Sequence, residues 1–184
     1  MRVCVCVPVR HQALAKLLDE RAVMVSLNLS DNHVHADGGK YFGRALKMNS
    51  SLQSLNLRLN RLGDEGGKLL LDGMLDNSTL TQLNLSCNAL EFDSAQTVGA
   101  IVSQSTTLRS LDLSCNVLSE EAGRLLREGL HSNTTLTGLD LRLNQISVDT
   151  MAAIEDVTKK NKVDAQKARR EYLEAVRLQE TGSG

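Results

Sequence analysis

Apolar and polar positions repeat along this chain with a fixed period. Asparagines stand at Asn32, Asn60, Asn88, Asn116 and Asn144, evenly spaced. Leucines hold the same register at Leu27, Leu55, Leu83, Leu111 and Leu139, and again at Leu29, Leu57, Leu85, Leu113 and Leu141. Met24, Leu52, Leu80, Leu108 and Leu136 precede them, and Val34, Leu62, Leu90, Leu118 and Ile146 follow. Leu-x-Leu alternation is that of a short strand with one buried face. An asparagine at the strand's end can both donate and accept, so it can satisfy backbone groups where the chain turns out of the sheet. The remainder of each unit has helical spacing, as in Leu69, Leu70, Gly73 and Met74, or Leu125, Leu126, Gly129 and Leu130. The helices end at Asn49, Asn77 or Asn133, with Ser105 in that place in the third unit. The pattern predicts strands near residues 25–29, 53–57, 81–85, 109–113 and 137–141, each followed by a helix. Units this short stack on their neighbours and bury their apolar faces only there.

The unit reads L-x-x-L-x-L-x-x-N-x-L, as in Leu80 to Leu90. It resembles the leucine-rich repeat, of the ribonuclease-inhibitor-like class. The resemblance covers residues 22–163 and implies an α/β fold. The expected architecture is a right-handed solenoid of 28-residue strand–helix units, with a parallel sheet on the concave side and helices on the convex side. Five repeats occupy residues 23–163. Stepping back one period places Leu14, Leu17 and Leu18 opposite Phe42, Ala45 and Leu46. Residues 1–22 therefore read as a partial or irregular N-terminal repeat. This leaves two readings open: a chain that is the C-terminal part of a longer protein, or an irregular cap. Past Met151, Ile154 and Val157, lysines 159, 160 and 162 break the leucine pattern. Residues 164–180 are rich in helix formers, and Ala165, Ala168, Tyr172, Val176 and Gln179 share one face. They read as a terminal helix that caps the last repeat, docks on a partner, or both. Residues 181–184 read as a flexible tail.

Composition narrows the functional classes. With 41% apolar residues the chain can bury a core, and its net charge of −1 gives no global attraction to nucleic acid. Tyr41, Phe42, Phe92 and Tyr172 are its only aromatics, too few for a row of base-stacking platforms. No apolar run approaches the roughly 18 residues of a membrane span. Val3 to Val9 is at the bottom of the size range for a signal core, and Arg10, His11 and Gln12 follow it where small residues should stand. The chain reads as intracellular, with Cys4, Cys6, Cys87 and Cys115 reduced.

No catalytic set emerges, and no cofactor or small-molecule substrate is expected. Gly38-Gly39 and Gly66-Gly67 recur just ahead of a helix, which points to turns and close packing rather than phosphate binding. Cys87 and Cys115 share one column of adjacent repeats. They lack a C-x-x-C spacing and two further ligands, so the column reads as simply variable, with Asp31, Leu59 and Leu143 in the other units. His33 and His35 lack a third ligand, and no metal site is expected. Asn49, Asn77 and Asn133 match the glycosylation pattern but occupy turns where small polar residues have a structural job.

Surface remains. The strand positions between the leucines face the concave side as two columns: Asn28, Asn56, Asn84, Asp112, Asp140, and Ser30, Arg58, Ser86, Ser114, Arg142. Charge gathers toward the last repeats. Arginine is among the residues that anchor protein interfaces. The candidate interaction residues are Arg58, Arg109, Asp112, Asp140 and Arg142, with Arg169 and Arg170 on the terminal helix.

Three segments carry a narrower resemblance: Ser54 to Leu70 (SLNLRLNRLGDEGGKLL), Thr79 to Leu90 (TLTQLNLSCNAL) and Thr135 to Ser147 (TLTGLDLRLNQIS). With the L-R-L-N variant at Leu57–Asn60 and Leu141–Asn144, they resemble the C-terminal repeats of the family of the fifth subunit of the nexin–dynein regulatory complex. That resemblance implies a non-enzymatic structural subunit of the axoneme in cilia and flagella, within the link between doublet microtubules that regulates dynein. Its partners would be other subunits of the linker. The residues alone leave other readings open: a cytosolic adaptor, an inhibitor or sensor fragment, or a GTPase-activating regulator.

Overall fold

The computed structural model describes Lys16, Leu18 and residues 24–181. The expected partial repeat over residues 1–22 otherwise lies outside the described residues, as do 182–184. Five short strands, β1 (Ser26–Asn28), β2 (Ser54–Asn56), β3 (Gln82–Asn84), β4 (Ser110–Asp112) and β5 (Gly138–Asp140), form one parallel sheet in chain order. Each strand pairs with the next at an offset of one repeat, Leu27 on Leu55, Leu83 on Leu111 and so on. Between and after them lie α1 (Ala36–Met48), α2 (Gly63–Met74), α3 (Phe92–Gln104), α4 (Glu120–Leu130) and α5 (Val148–Thr181). The result is a leucine-rich repeat solenoid of alternating strands and helices.

The leucine columns form the core. Leu27, Leu55, Leu83 and Leu111 are buried, and so are all five residues of the Leu29 column and all five of the Val34 column. Leu139, on the edge strand β5, is only partly buried against that core.

Two asparagine ladders join the repeats. In the first, each amide spans two units. The Asn88 Nδ2 donates to Leu85 O in its own turn at 3.2 Å and to Leu57 O in the preceding repeat at 2.9 Å. Asn60, Asn116 and Asn144 do the same. Each Oδ1 accepts a backbone N–H of the preceding repeat, from Val34 to Asn60 and from Leu118 to Asn144 at 3.0 Å. Asn32 donates to Leu29 O and Ser30 O. The second ladder stands where helices turn back into strands. The amides of Asn49, Asn77 and Asn133 donate to Leu18 O, Leu46 O and Val102 O at 2.7 Å, and their Oδ1 atoms accept Leu52, Leu80 and Leu136 N–H. Ser105 does only the accepting half, toward Thr107 and Leu108.

The residue before each ladder asparagine is left-handed: Asp31, Leu59, Cys87, Cys115 and Leu143 have φ of 56–59°. The column that reads as merely variable in the sequence is thus the corner of the turn, which points side chains outward and places few demands on their chemistry.

The helix layer alternates between two kinds of contact. α1 meets α2, and α3 meets α4, through glycines. A Cβ on Gly73 would sit 1.9 Å from Gly43 O, and one on Gly129 would sit 2.4 Å from Gly99 O. At the intervening junctions a carboxylate reaches across instead. Asp64 accepts the Glu91, Asp93 and Ser94 N–H groups at the start of α3. Glu120, two repeats on, accepts Ser147 N–H and the Thr150 hydroxyl at the start of α5, both at 2.7 Å.

Candidate protein-interaction surface

The strand residues between the leucines line the outer sheet face. The column of Asn28, Asn56, Asn84, Asp112 and Asp140 is half-buried, because each carboxamide or carboxylate turns back on its own chain. Its Oδ1 accepts the N–H two residues on, at 2.9–3.0 Å. Strand alternation alone has this column simply facing solvent; these short Asx turns close the strand ends. Ser86, in the second column, is buried and bonds Asn84, and Ser114 bonds Asp112.

The candidate charged residues separate into distinct places. Asp112, Asp140 and Arg142 come together at the end of the sheet. The Arg142 guanidinium grips the Asp140 carboxylate through Nε and Nη2. That contact holds the Asp140 carboxyl below the usual carboxylate range, against the opposing effect of partial burial. It also raises Arg142 further above its ordinary value, with a smaller contribution from Asp112. Asp112 in turn accepts from Asn84 Nδ2 at 2.9 Å. Arg58 is exposed just past the end of β2, three strands from Arg142, which follows β5. Arg109 stands at the opposite rim, beside a shallow groove of serines and threonines that includes Ser51, Thr79 and Thr107. Arg169 and Arg170 are exposed on α5, well beyond the sheet.

A cleft of about 600 Å³ opens where β4 and β5 meet α5, lined among others by Ser110, Asp112, Asp140, Arg142, Met151 and Glu155. Val148 also lines it and is 75% exposed. In the sequence pattern Met151 is simply a position along the fifth helix, and Glu155 has no role there. Their spacing with Val148 and Ala152 is that of one helix face, which is the available signal.

α5 runs unbroken from the fifth repeat through residues 164–180. Its first half closes the solenoid: Ile154, Thr158 and Asn161 are buried. The Asn161 amide donates to Asn133 O and Leu136 O at 3.0 Å, one period after Asn133 and inside a helix that does not end there. From residue 162 to 179 only Val176 is even half-buried. Tyr172 is 68% exposed and Leu178 73%. Lys167 and Glu171 form an i,i+4 pair at 4.0 Å.

Among the described residues, no group of three or more His, Cys, Asp or Glu could hold a metal ion, and no helix is long and apolar enough to cross a membrane. The profile of the family described as Leucine Rich repeat matches residues 23–43, 49–71, 76–95, 104–126 and 132–154. A search of curated proteins finds no match. Among solved structures, the actin-binding site 2 of leiomodin-1 is similar, with a TM-score of 0.78 at 16% identity over 94% of this chain and 99% of that one. The C-terminal domain of a Caenorhabditis elegans tropomodulin matches with a TM-score of 0.47 at 11% identity, over 88% and 98%. The leiomodin likeness is one of fold.

Proposed function

This chain belongs to the leucine-rich repeat family, and on that premise we propose that it is a non-catalytic interaction subunit of a cytoskeletal assembly. The observation that carries the reading is α5. Its second half continues past the repeats for several turns, with side chains exposed along its length. A helix needed only to close the solenoid would end near Asn161. The polar sheet face and the Asp140–Arg142 cleft supply a second, separate surface. With no tryptophan in the chain, each face has few anchor side chains for a solitary tight interface: Arg142 at the cleft, and Tyr172, Arg169 and Arg170 on α5. Two modest contacts tethered on one chain reinforce each other.

The finer reading is a subunit of the axonemal nexin–dynein regulatory complex, in the cytoplasmic cytoskeleton of cilia or flagella, with other linker subunits as partners. The LRLN-type repeats and the charged helix after the last repeat support it. A second reading is actin binding, favoured by the fold likeness to the leiomodin-1 actin-binding site over nearly the whole of both chains. One experiment separates them. The tagged chain expressed in ciliated cells should stay with detergent-washed axonemes and resist moderate salt, and should not co-sediment with purified actin filaments. Sedimentation with actin and absence from axonemes would favour the second reading; a wholly soluble protein would contradict both.

A further inference from the structure

The left-handed corner of the turn carries a thiol in two adjacent repeats. Cys87 and Cys115 both have φ of 56°, so their side chains leave stacked turns in the same direction. The Cys87 N–H donates to Ser114 O at 3.0 Å and fixes one turn on the next. Neighbouring strands of a sheet lie roughly 4.7–4.9 Å apart. That is inside the roughly 4.4–6.8 Å Cα separation that a disulfide spans. The strands that lead into the two turns are directly paired, Leu83 on Leu111 and Asn84 on Asp112, so Cys87 and Cys115 are neighbours in one column. Leu59 and Leu143 occupy the column on either side, so each of these thiols has one sulfur neighbour in it. Both are free; Cys115 is exposed and Cys87 half-buried. Burial and the neighbouring Cys115 push the Cys87 thiol up, while Arg58 pulls it down. Cys115 is therefore the sulfur an oxidant in solution meets first.

We propose that Cys87 and Cys115 are a dithiol modification site, at which a peroxide oxidant forms a reversible disulfide that ties the third repeat to the fourth. The Cys115 thiolate attacks one oxygen of hydrogen peroxide. The O–O bond breaks, a sulfenic acid forms at Cys115, and the second oxygen leaves as water with the thiol proton. The Cys87 sulfur then attacks the sulfenic sulfur. The S–S bond forms, the S–O bond breaks, and a second water leaves with the Cys87 proton. Two thiols and one peroxide give one disulfide and two waters. A dithiol reductant reverses the step by exchange.

The test uses the full chain with Cys4→Ser and Cys6→Ser, which leaves Cys87 and Cys115 in their native places and so does not depend on altering either. The dilute protein is treated with one equivalent of hydrogen peroxide, alkylated and digested with trypsin. The expected product is peptide 69–109 joined to peptide 110–124, lighter than their sum by two hydrogens and separated by dithiothreitol, with loss of both alkylation sites. Sulfinic acid at Cys115 beside an alkylated Cys87 would overturn the proposal. So would two unmodified thiols, or linkage only between separate chains.

Discussion

An asparagine side chain has two N–H groups and an acceptor oxygen, and the ladder residues use them on two repeats at once. Asn88 and Asn116 are buried, and so are their bonds to backbone groups of the preceding repeat. Replacing either with alanine leaves several of those groups unpaired, and the expected cost is about 1–3 kcal/mol for each group stranded. Asn28→Ala should cost less, about 1 kcal/mol, because it loses one bond to Ser30 N–H at a half-buried site. Urea titration of the three variants checks the order; equal losses would contradict the ladder's role. The turn corner makes an opposite prediction. Leu143 is 79% exposed and left-handed at φ 59°, with no packing to offset the strain. Leu143→Asn should stabilise the chain by about 1 kcal/mol, since asparagine tolerates that conformation. The ladder was legible in the sequence because every rung is the same residue type. The left-handed corner was not, because it holds Asp, Leu and Cys instead of the glycine or asparagine that usually marks such a position.

Individual strands and helices followed from the period. With the repeat length fixed by the asparagines, each Leu-x-Leu had to pair with the next, and the five strands lie within the expected spans. What the period could not convey was how helices meet, since that depends on single residues reaching across a junction. Gly73 faces Gly43 O so closely that Gly73→Ala should destabilise by about 1–3 kcal/mol or more. Gly63→Ala should cost only about 1 kcal/mol, from its φ of 62° in open space. Differential scanning calorimetry of the pair reads the difference. The junction from α4 to α5 depends on charge. Hydrogen bonds from Ser147 N–H and the Thr150 hydroxyl hold the Glu120 carboxyl down to about 2 from its ordinary 4.5. The folded state thus favours the ionised form. Its contribution is complete above about pH 4.5 and is lost as pH falls toward 2. Glu120→Gln should lower the melting temperature at pH 7, and the gap to the parent chain should narrow through that acid window. A gap that stays constant with pH would show that the carboxylate does not carry the junction. The unbroken α5 was hidden for a related reason. The lysines after Val157 end the leucine pattern without ending the helix, and Asn161 keeps its ladder duty within it.

Taken together, the repeats build a solenoid with one polar sheet face, a cleft where β4 and β5 meet α5, and a helix that continues past the last repeat. The charged residues chosen from sequence are exposed or half-exposed, but they do not form one patch. Asp112, Asp140 and Arg142 gather at the cleft; Arg58, Arg109 and the Arg169–Arg170 pair stand apart. Column positions gave their face, whereas their clustering depends on which rim and which end each occupies. We propose that this solenoid is held in an assembly by two surfaces, one of them the exposed half of α5. The decisive measurement is retention of the chain lacking residues 164–184 on salt-washed axonemes, compared with the full chain. The truncated chain keeps Asn161 and the closing contacts of α5, so it should show an unchanged far-ultraviolet repeat signature and melting temperature. This folded protein should be released at several-fold lower salt than the full chain. Retention equal to the full chain's, or unfolding of the repeats on truncation, would contradict it.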